Sequence, residues 1–418
     1  MISRTCFCSR REFLARGLYG VGVGAGLPLF LSRTSAALTA QALKGTSFEK
    51  RPERILVVVE LSGGNDGLNT VVPYADAAYY RARPNLGIPE REVIKVSDAH
   101  DSHPSLVGFE RLYMDGLMGV VHGCGYEHPS LSHFSSMGFW HTGAPNTGEP
   151  LGWLGRLADE RYEGASRNVI VNIGNAQSLA VRSRVHSPLV FNDPIRFRRE
   201  GTDSEKQALA ELSGARTTTN PTLDFLASTA RNATDSSEFV RQAWAAYRTP
   251  VDYGIGNAFG ADLQKVAALI AAGMPTRLYY VSYQGNSFDT HVQQADRHNR
   301  LLVYTADAVR AFVEDLRRIG RAGDVAVMMF TEFGRRVEEN GSLGTDHGTA
   351  TPMFIVGAGV KGGFYGQHPS LTDLDDGNMK MTTDFRRVYA TMIREWLGSD
   401  DAETVLKGRF DTLGIFAS

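Results

Sequence analysis

The chain is 418 residues long, and its 44 Lys and Arg side chains against 46 Asp and Glu give a formal net charge of −2. That length accommodates two average domains or one large α/β domain. The balance of charge leaves no basic block outside the first 42 residues, which argues against a nucleic-acid partner.

In chain order, Ser9-Arg10-Arg11-Glu12-Phe13-Leu14 reads as a twin-arginine export signal. An uncharged, Gly-rich apolar run follows from Gly17 to Leu31, then Arg33 and an Ala40-Gln41-Ala42 end. A basic start, a short apolar middle and a small-residue end are the anatomy of a cleaved signal. The run is shorter than the roughly 20 residues that span a bilayer, so no stable membrane anchor is expected after cleavage. Residues 1–42 are thus expected to engage the twin-arginine translocase. Residues 43–418 are expected as one domain in the periplasm or outside the cell. Cys6 and Cys8 leave with the signal, and the remaining Cys124 can form no intrachain disulfide.

Ile55 to Leu61 is a continuous apolar run with one acid, the pattern of a buried central strand. It ends in Ser62-Gly63-Gly64-Asn65-Asp66-Gly67-Leu68-Asn69. There Asp66 and Asn65 are candidate metal donors, or turn residues that satisfy backbone groups. No Lys-Ser/Thr follows these glycines, so a phosphate cradle is not expected. Val93–Val96 is a weaker strand, His103–Met114 a helix, and Met118–His122 and Val169–Ile173 short strands.

Between these strands, Glu127-His128-Pro129-Ser130-Leu131-Ser132-His133-Phe134 opens a helix running through Trp140. Ser132 is a candidate nucleophile among helix N-terminal amides that favour negative charge, or simply the cap. His133 is a candidate base or ligand. The polar segment 193–273 lacks strand signals and reads as a helical insertion.

The strand Leu278–Tyr283 precedes Phe288-Asp289-Thr290-His291, and the helix Leu301–Leu316 follows. A carboxylate and an imidazole two residues apart suit Zn²⁺ or a similar ion. Val325–Phe330 leads into Thr331-Glu332-Phe333-Gly334-Arg335, and Gly344-Thr345-Asp346-His347-Gly348 leads into the apolar run Pro352–Val356. Those two apolar runs are expected as parallel strands. Glu332, Asp346 and His347 would then lie at the carboxyl ends of strands, where open α/β sheets bind ligands. Arg335 is read either as a fork for an anionic group or as an ion-pair partner of Glu332 or Glu338. Asp384–Leu397 closes the chain as a helix, and alternation throughout predicts an α/β fold with a mostly parallel sheet covered on both faces.

These motifs, together with Gly152-Trp153-Leu154-Gly155-Arg156 and Thr383-Asp384-Phe385-Arg386, resemble the domain-of-unknown-function 1501 family. The resemblance implies twin-arginine export and a fold like that of the alkaline phosphatase and sulfatase superfamily. It also implies a centre for one or two divalent ions, Zn or Mn, with no nucleotide cofactor. Ser132 matches the superfamily nucleophile, Asp66 the first carboxylate, with Glu60 its alternative, and Asp289 with His291 one metal pair. His347 before Pro352 matches the last histidine. Phe333 stands where the superfamily carries a His, which breaks the two-metal pattern. The implied chemistry is hydrolysis of a small anionic ester, a phosphate rather than a sulfate. Cys124-Gly125-Tyr126-Glu127-His128 is not the Cys/Ser-x-Pro-x-Arg context of a sulfatase. The competing expectation is a non-catalytic periplasmic binding or assembly protein with the same fold.

Overall fold

The computed structural model describes residues 54–417 apart from 98–99, 163–167, 199–200, 203, 206, 209–210, 212–220, 255 and 284. The export-signal reading of residues 1–42 lies outside the described residues. Of two compact units, the larger comprises residues 50–197 and 235–418, and the sheet and the candidate site belong to it.

Ten strands frame the fold: β1 (Ile55–Glu60), β2 (Met118–Gly125), β3 (Ile170–Ile173), β4 (Leu189–Phe191), β5 (Leu278–Ser282), β6 (Val325–Phe330), β7 (Arg335–Glu339), β8 (Thr345–His347), β9 (Thr351–Gly357) and β10 (Gly363–Tyr365). The main sheet runs β10-β2-β9-β6-β1-β5-β3-β4, with Thr383–Asp384 also paired to β2. β1 lies near its middle and is buried along its whole length. Ile55, Val57 and Val59 belong to one core and Leu56 and Val58 to the other, the period-two alternation of a strand covered on both faces. Each such side chain contributes about 1.5–3 kcal/mol on full burial.

Helices α1 (Ala77–Ala82), α2 (Val107–Met114), α3 (His133–Thr142), α4 (Trp153–Arg161), α6 (Ala258–Ala271), α7 (Gln294–Arg318) and α8 (Phe385–Thr391) surround the sheet, and α5 (Pro221–Ala246) enters this unit at Asp235. Residues of α2, α6 and α7 join the first core, and residues of α3, α4 and α8 the second. The helical reading of 193–273 holds for α5 and α6, but α6 is no insertion. Its Phe259, Leu263, Val266 and Ile270 pack into the core beneath the sheet. It serves as an ordinary crossover helix leading into β5.

Two expectations are corrected. β9 runs antiparallel to both β6 and β2, not parallel. A parallel return needs a crossover, usually a helix. The link between β6 and β9 instead folds as the antiparallel pair β7–β8 on the same edge of the sheet. Val93–Val96 is not a strand; Ile94 makes one isolated bridge to Ser102.

The loop after β1 depends on Gly63. Its φ is +120°, and a Cβ there would lie 2.4 Å from the Asp289 backbone nitrogen. We expect Gly63→Ala to cost about 1–3 kcal/mol from backbone strain alone, with more from the clash. Urea denaturation of the variant beside the native chain checks this.

Candidate metal centre

The carboxyl ends of the parallel strands deliver four segments to one edge of the sheet: 61–70 after β1, 126–133 after β2, 283–293 after β5 and 331–350 after β6. β9 begins at that edge. His133 opens α3, Asp289 and His291 come from the segment after β5, and His347 ends β8.

Donor atoms of His133, Asp289 and His347 all lie within 4.8 Å of one another. Asp289 Oδ2 is 3.4 Å from His133 Nε2, and Asp289 Oδ1 is 3.2 Å from His347 Nε2. His291 Nε2 lies at the edge of this group, 3.1 Å from Asp289 Oδ1 and 2.9 Å from His347 Nε2. Metal–nitrogen bonds of about 2.0–2.1 Å at tetrahedral angles separate donors by about 3.3 Å, so these spacings suit a divalent ion.

The other ring nitrogens explain why these atoms face one another. His133 Nδ1 donates to Glu332 Oε1 over 2.7 Å, and His347 Nδ1 donates to the Leu131 carbonyl over 2.8 Å. His291 Nδ1 lies 3.3 Å from Asp346 Oδ1. An imidazole whose Nδ1 carries the proton presents a lone pair at Nε2. The lone pairs of His133 and His347 and a carboxylate therefore converge, an arrangement that a shared cation reconciles. His133 Nε2 is buried and makes no hydrogen bond, which marks it as a donor atom aimed at that cation. Acceptors behind ligating histidines also fix ring orientation and raise basicity.

Arg335 sets the electrostatics. Burial alone would raise the Asp289 carboxyl, but hydrogen bonding and charge from Arg335, with His347 and His291, bring it down to about 2. The hydrogen bond to Glu332 raises the His133 imidazole above its usual value. Burial lowers that of His347, which favours the neutral, ligating form. Phe333 closes one side of the cluster, with ring centroids 4.9 Å from His133 and 4.5 Å from His347.

Several residues singled out from the sequence do other work. Asp66 is fully buried, accepting from Arg83 over 2.6 Å and from Gln294 over 2.5 Å. Asn65 accepts from His298 Nε2 over 2.9 Å and donates to Thr70. Neither joins the donor cluster, because both are already committed within this buried network. Glu60 likewise holds His141 Nε2 at 2.6 Å and Ser282 Oγ at 2.7 Å, and it accepts from Tyr280. Glu332 is an orienting acceptor rather than a donor to a metal: Gly63 N, Thr331 Oγ1 and His133 Nδ1 all reach its carboxylate.

Arg335 is no free anion fork. It is fully buried and donates to the carbonyls of Gly63, Gly64, Phe288 and Thr345 as well as to Asp289. Ser132 is the exposed N-cap residue of α3, and its side chain makes no capping hydrogen bond. Gln294 and the Leu131 carbonyl were not foreseen. Gln294 holds Thr290 and Thr345 as well as Asp66. A positioning amide or a backbone carbonyl leaves no signal in sequence spacing.

Replacing His133, Asp289 or His347 with Ala should abolish binding of Zn²⁺ or Mn²⁺, measured by titration against a chromophoric chelator. Glu332→Gln should weaken it by about 10–100-fold, as loss of an orienting partner does. Asp66→Ala should instead cost about 3–5 kcal/mol of stability by stranding Arg83, while the folded fraction keeps its metal.

Among solved structures, the C-terminal periplasmic domain of EcEptC from Escherichia coli, a complex with Zn, aligns at 10% identity over 73% of this chain and 73% of that one, with a TM-score of 0.35. A protein in the alkaline phosphatase superfamily from Vibrio parahaemolyticus aligns at 9% identity over 77% and 64%, with a TM-score of 0.35. PsFucS1 sulfatase from Pseudoalteromonas sp. aligns at 12% identity over 93% and 75%, with a TM-score of 0.38. No curated protein matches the sequence. The family described as "Protein of unknown function (DUF1501)" matches residues 118–409, well over half of the chain, including His133, Asp289, His291 and His347. The chain belongs to that family.

Proposed function

We propose that the protein is an exported, metal-dependent hydrolase of phosphate esters. One observation carries the reading. Donor atoms of His133, Asp289 and His347 converge, while the other nitrogen of each of the two imidazoles faces an oxygen acceptor. A divalent ion, Zn²⁺ or Mn²⁺, would supply Lewis acidity to an ester oxygen there. His133, Asp289 and His347 would hold it, with the more exposed His291 beside them.

The chain's own groups do the rest. Asp289 stays ionised throughout the neutral range because Arg335 holds its carboxyl down. Ser132 stands between Leu131, whose carbonyl fixes His347, and His133 itself. Its hydroxyl is exposed at the N-terminus of a ten-residue helix, where backbone amides favour a developing negative charge. It is the residue we assign as nucleophile. Phe333 keeps water from one side of the cluster, so charges inside it act through a lower dielectric.

One observation favours a second reading, a metal-holding protein without turnover. Arg335 is spent on backbone carbonyls and on Asp289, which leaves the transferring group no guanidinium clamp from that residue. Turnover separates the two readings. Metal-loaded protein should hydrolyse an aryl phosphate, lose that activity to a chelator, and regain it on adding the ion back. Metal binding without hydrolysis of any phosphoester in a panel would select the second reading.

Export is proposed from Arg10 and Arg11. Replacing both with Lys should hold the full chain in the cytoplasm. The native chain should appear outside it with a new N-terminus near Ala42, read by mass spectrometry of cell fractions.

A further inference from the structure

Three imidazoles from separate parts of the chain meet away from the candidate metal centre. His122 lies on β2, His368 in the segment after β10, and His100 in the loop before α2. Ring centroids are 4.3 Å apart for His100 and His368, 4.9 Å for His100 and His122, and 5.2 Å for His122 and His368. His122 is only 5% exposed, and the Phe364 ring stacks on it at 5.0 Å, tilted by 7°. His368 Nδ1 donates to the Pro369 carbonyl over 2.8 Å. Asp101 and Asp76 act on His100, and Asp76 on His368, by charge alone. Lys95 already sits 3.3 Å from the Asp101 carboxylate. The charged form of these rings therefore has no close acid to answer it.

His368 belongs to a strap, residues 366–382, that runs beside the end of β2. At its far end Thr382 N donates to the Gly123 carbonyl over 3.0 Å. Its deeply buried hydrophobic side chains are Leu371 and Met379, which pack with Leu68 and Ala350 in a small third core. The Met379 carbonyl accepts from Thr349 Oγ1, two residues beyond His347. His122, His368, Thr351 and Met379 line a cavity of about 20 Å³, room for about one water to bring a proton to the rings. A segment held by so little apolar surface lies at the low-stability end of a fold and opens locally.

We propose that the histidine cluster is an acid-operated latch: protonation of His122 and His368 releases the strap from β2 and from the segments that carry Leu68 and Thr349. Burial and the two neighbouring imidazoles push His122 from 6.5 down to about 3. Burial and His100 push His368 down to about 4. Closed, the rings are neutral at pH 7, and two like charges at these spacings would disfavour each other. Opened, they regain water and their ordinary affinity for protons. As pH falls below 6.5, the open form takes up protons that the closed form refuses. Closure is thus favoured most above that pH and is lost progressively toward pH 4. Between pH 7 and pH 5 the opening equilibrium rises about 20-fold for each histidine set free, or about 400-fold for both.

Hydrogen exchange of the full chain at pH 7 and pH 5, corrected for the intrinsic rate at each pH, tests this. Amides of residues 366–382 should lose about 400-fold of their protection, while those of β1 and β6 keep theirs. His368→Asn, at a half-buried ring, should cut the response to about 20-fold. His122→Phe, which keeps a ring for Phe364 to stack on, should do the same, so either variant suffices if the other fails to fold. Strap protection equal at the two pH values would overturn the proposal. So would loss in step with β1 and β6, or a full response in a folded variant. The measurement needs no metal, so its outcome leaves the metal-centre reading untouched.

Discussion

Everything at the carboxyl edge of the sheet hangs on one buried guanidinium. Arg335 is removed from solvent, and burying an unpaired ion would cost several kcal/mol. Its five contacts offset that cost, and they come from separate parts of the chain. Gly63 and Gly64 belong to the loop after β1, Phe288 and Asp289 to the segment after β5, and Thr345 to β8. A planar fork with fixed donor directions holds these loops in one relative position, which a flexible ammonium would not do. Asp289 takes its place and its ionised state from this contact, and the Nε2 atoms of His291 and His347 then gather at its Oδ1.

Glu332 completes the same clamp from the other sign of charge. Its carboxylate accepts the Gly63 N–H, while Arg335 accepts nothing and donates to the Gly63 carbonyl. One glycine peptide is therefore gripped by two residues three apart in the sequence. The Cβ-free, positive-φ backbone of Gly63 is what lets Phe288 and Asp289 approach it. The string Thr331 to Arg335 holds the candidate site, and its donor residues come from the start of α3, the segment after β5 and β8. Glu332 reaches any metal only through the His133 ring.

That division of labour decides how much was legible in the sequence. The buried strands were readable because β1, β5 and β6 are runs of apolar residues of the right length, and His133, Asp289, His291 and His347 stood out as donor types after strands. The direction of β9 was not readable. It depends on whether residues 331–350 form a crossover or fold back, and the absent helical period in that stretch was the available sign. Asp66 was misjudged because a carboxylate after a strand serves equally as a ligand or as a buried counter-ion. Its partner Arg83 lies at the end of α1, and only the fold brings them to 2.6 Å. Arg335 presented the same ambiguity in reverse, since burial rather than residue type decides whether a guanidinium meets a ligand or the backbone.

Phe333 is where these constraints meet. With phenylalanine, the imidazoles of His133 and His347 lean on an apolar wall. The wall stiffens both rings and lowers the dielectric around the single cluster that remains. Arg335 already neutralises Asp289 in the absence of a metal. A divalent ion joining that carboxylate and the imidazoles of His133 and His347 would therefore keep more of its positive charge for an anionic ligand.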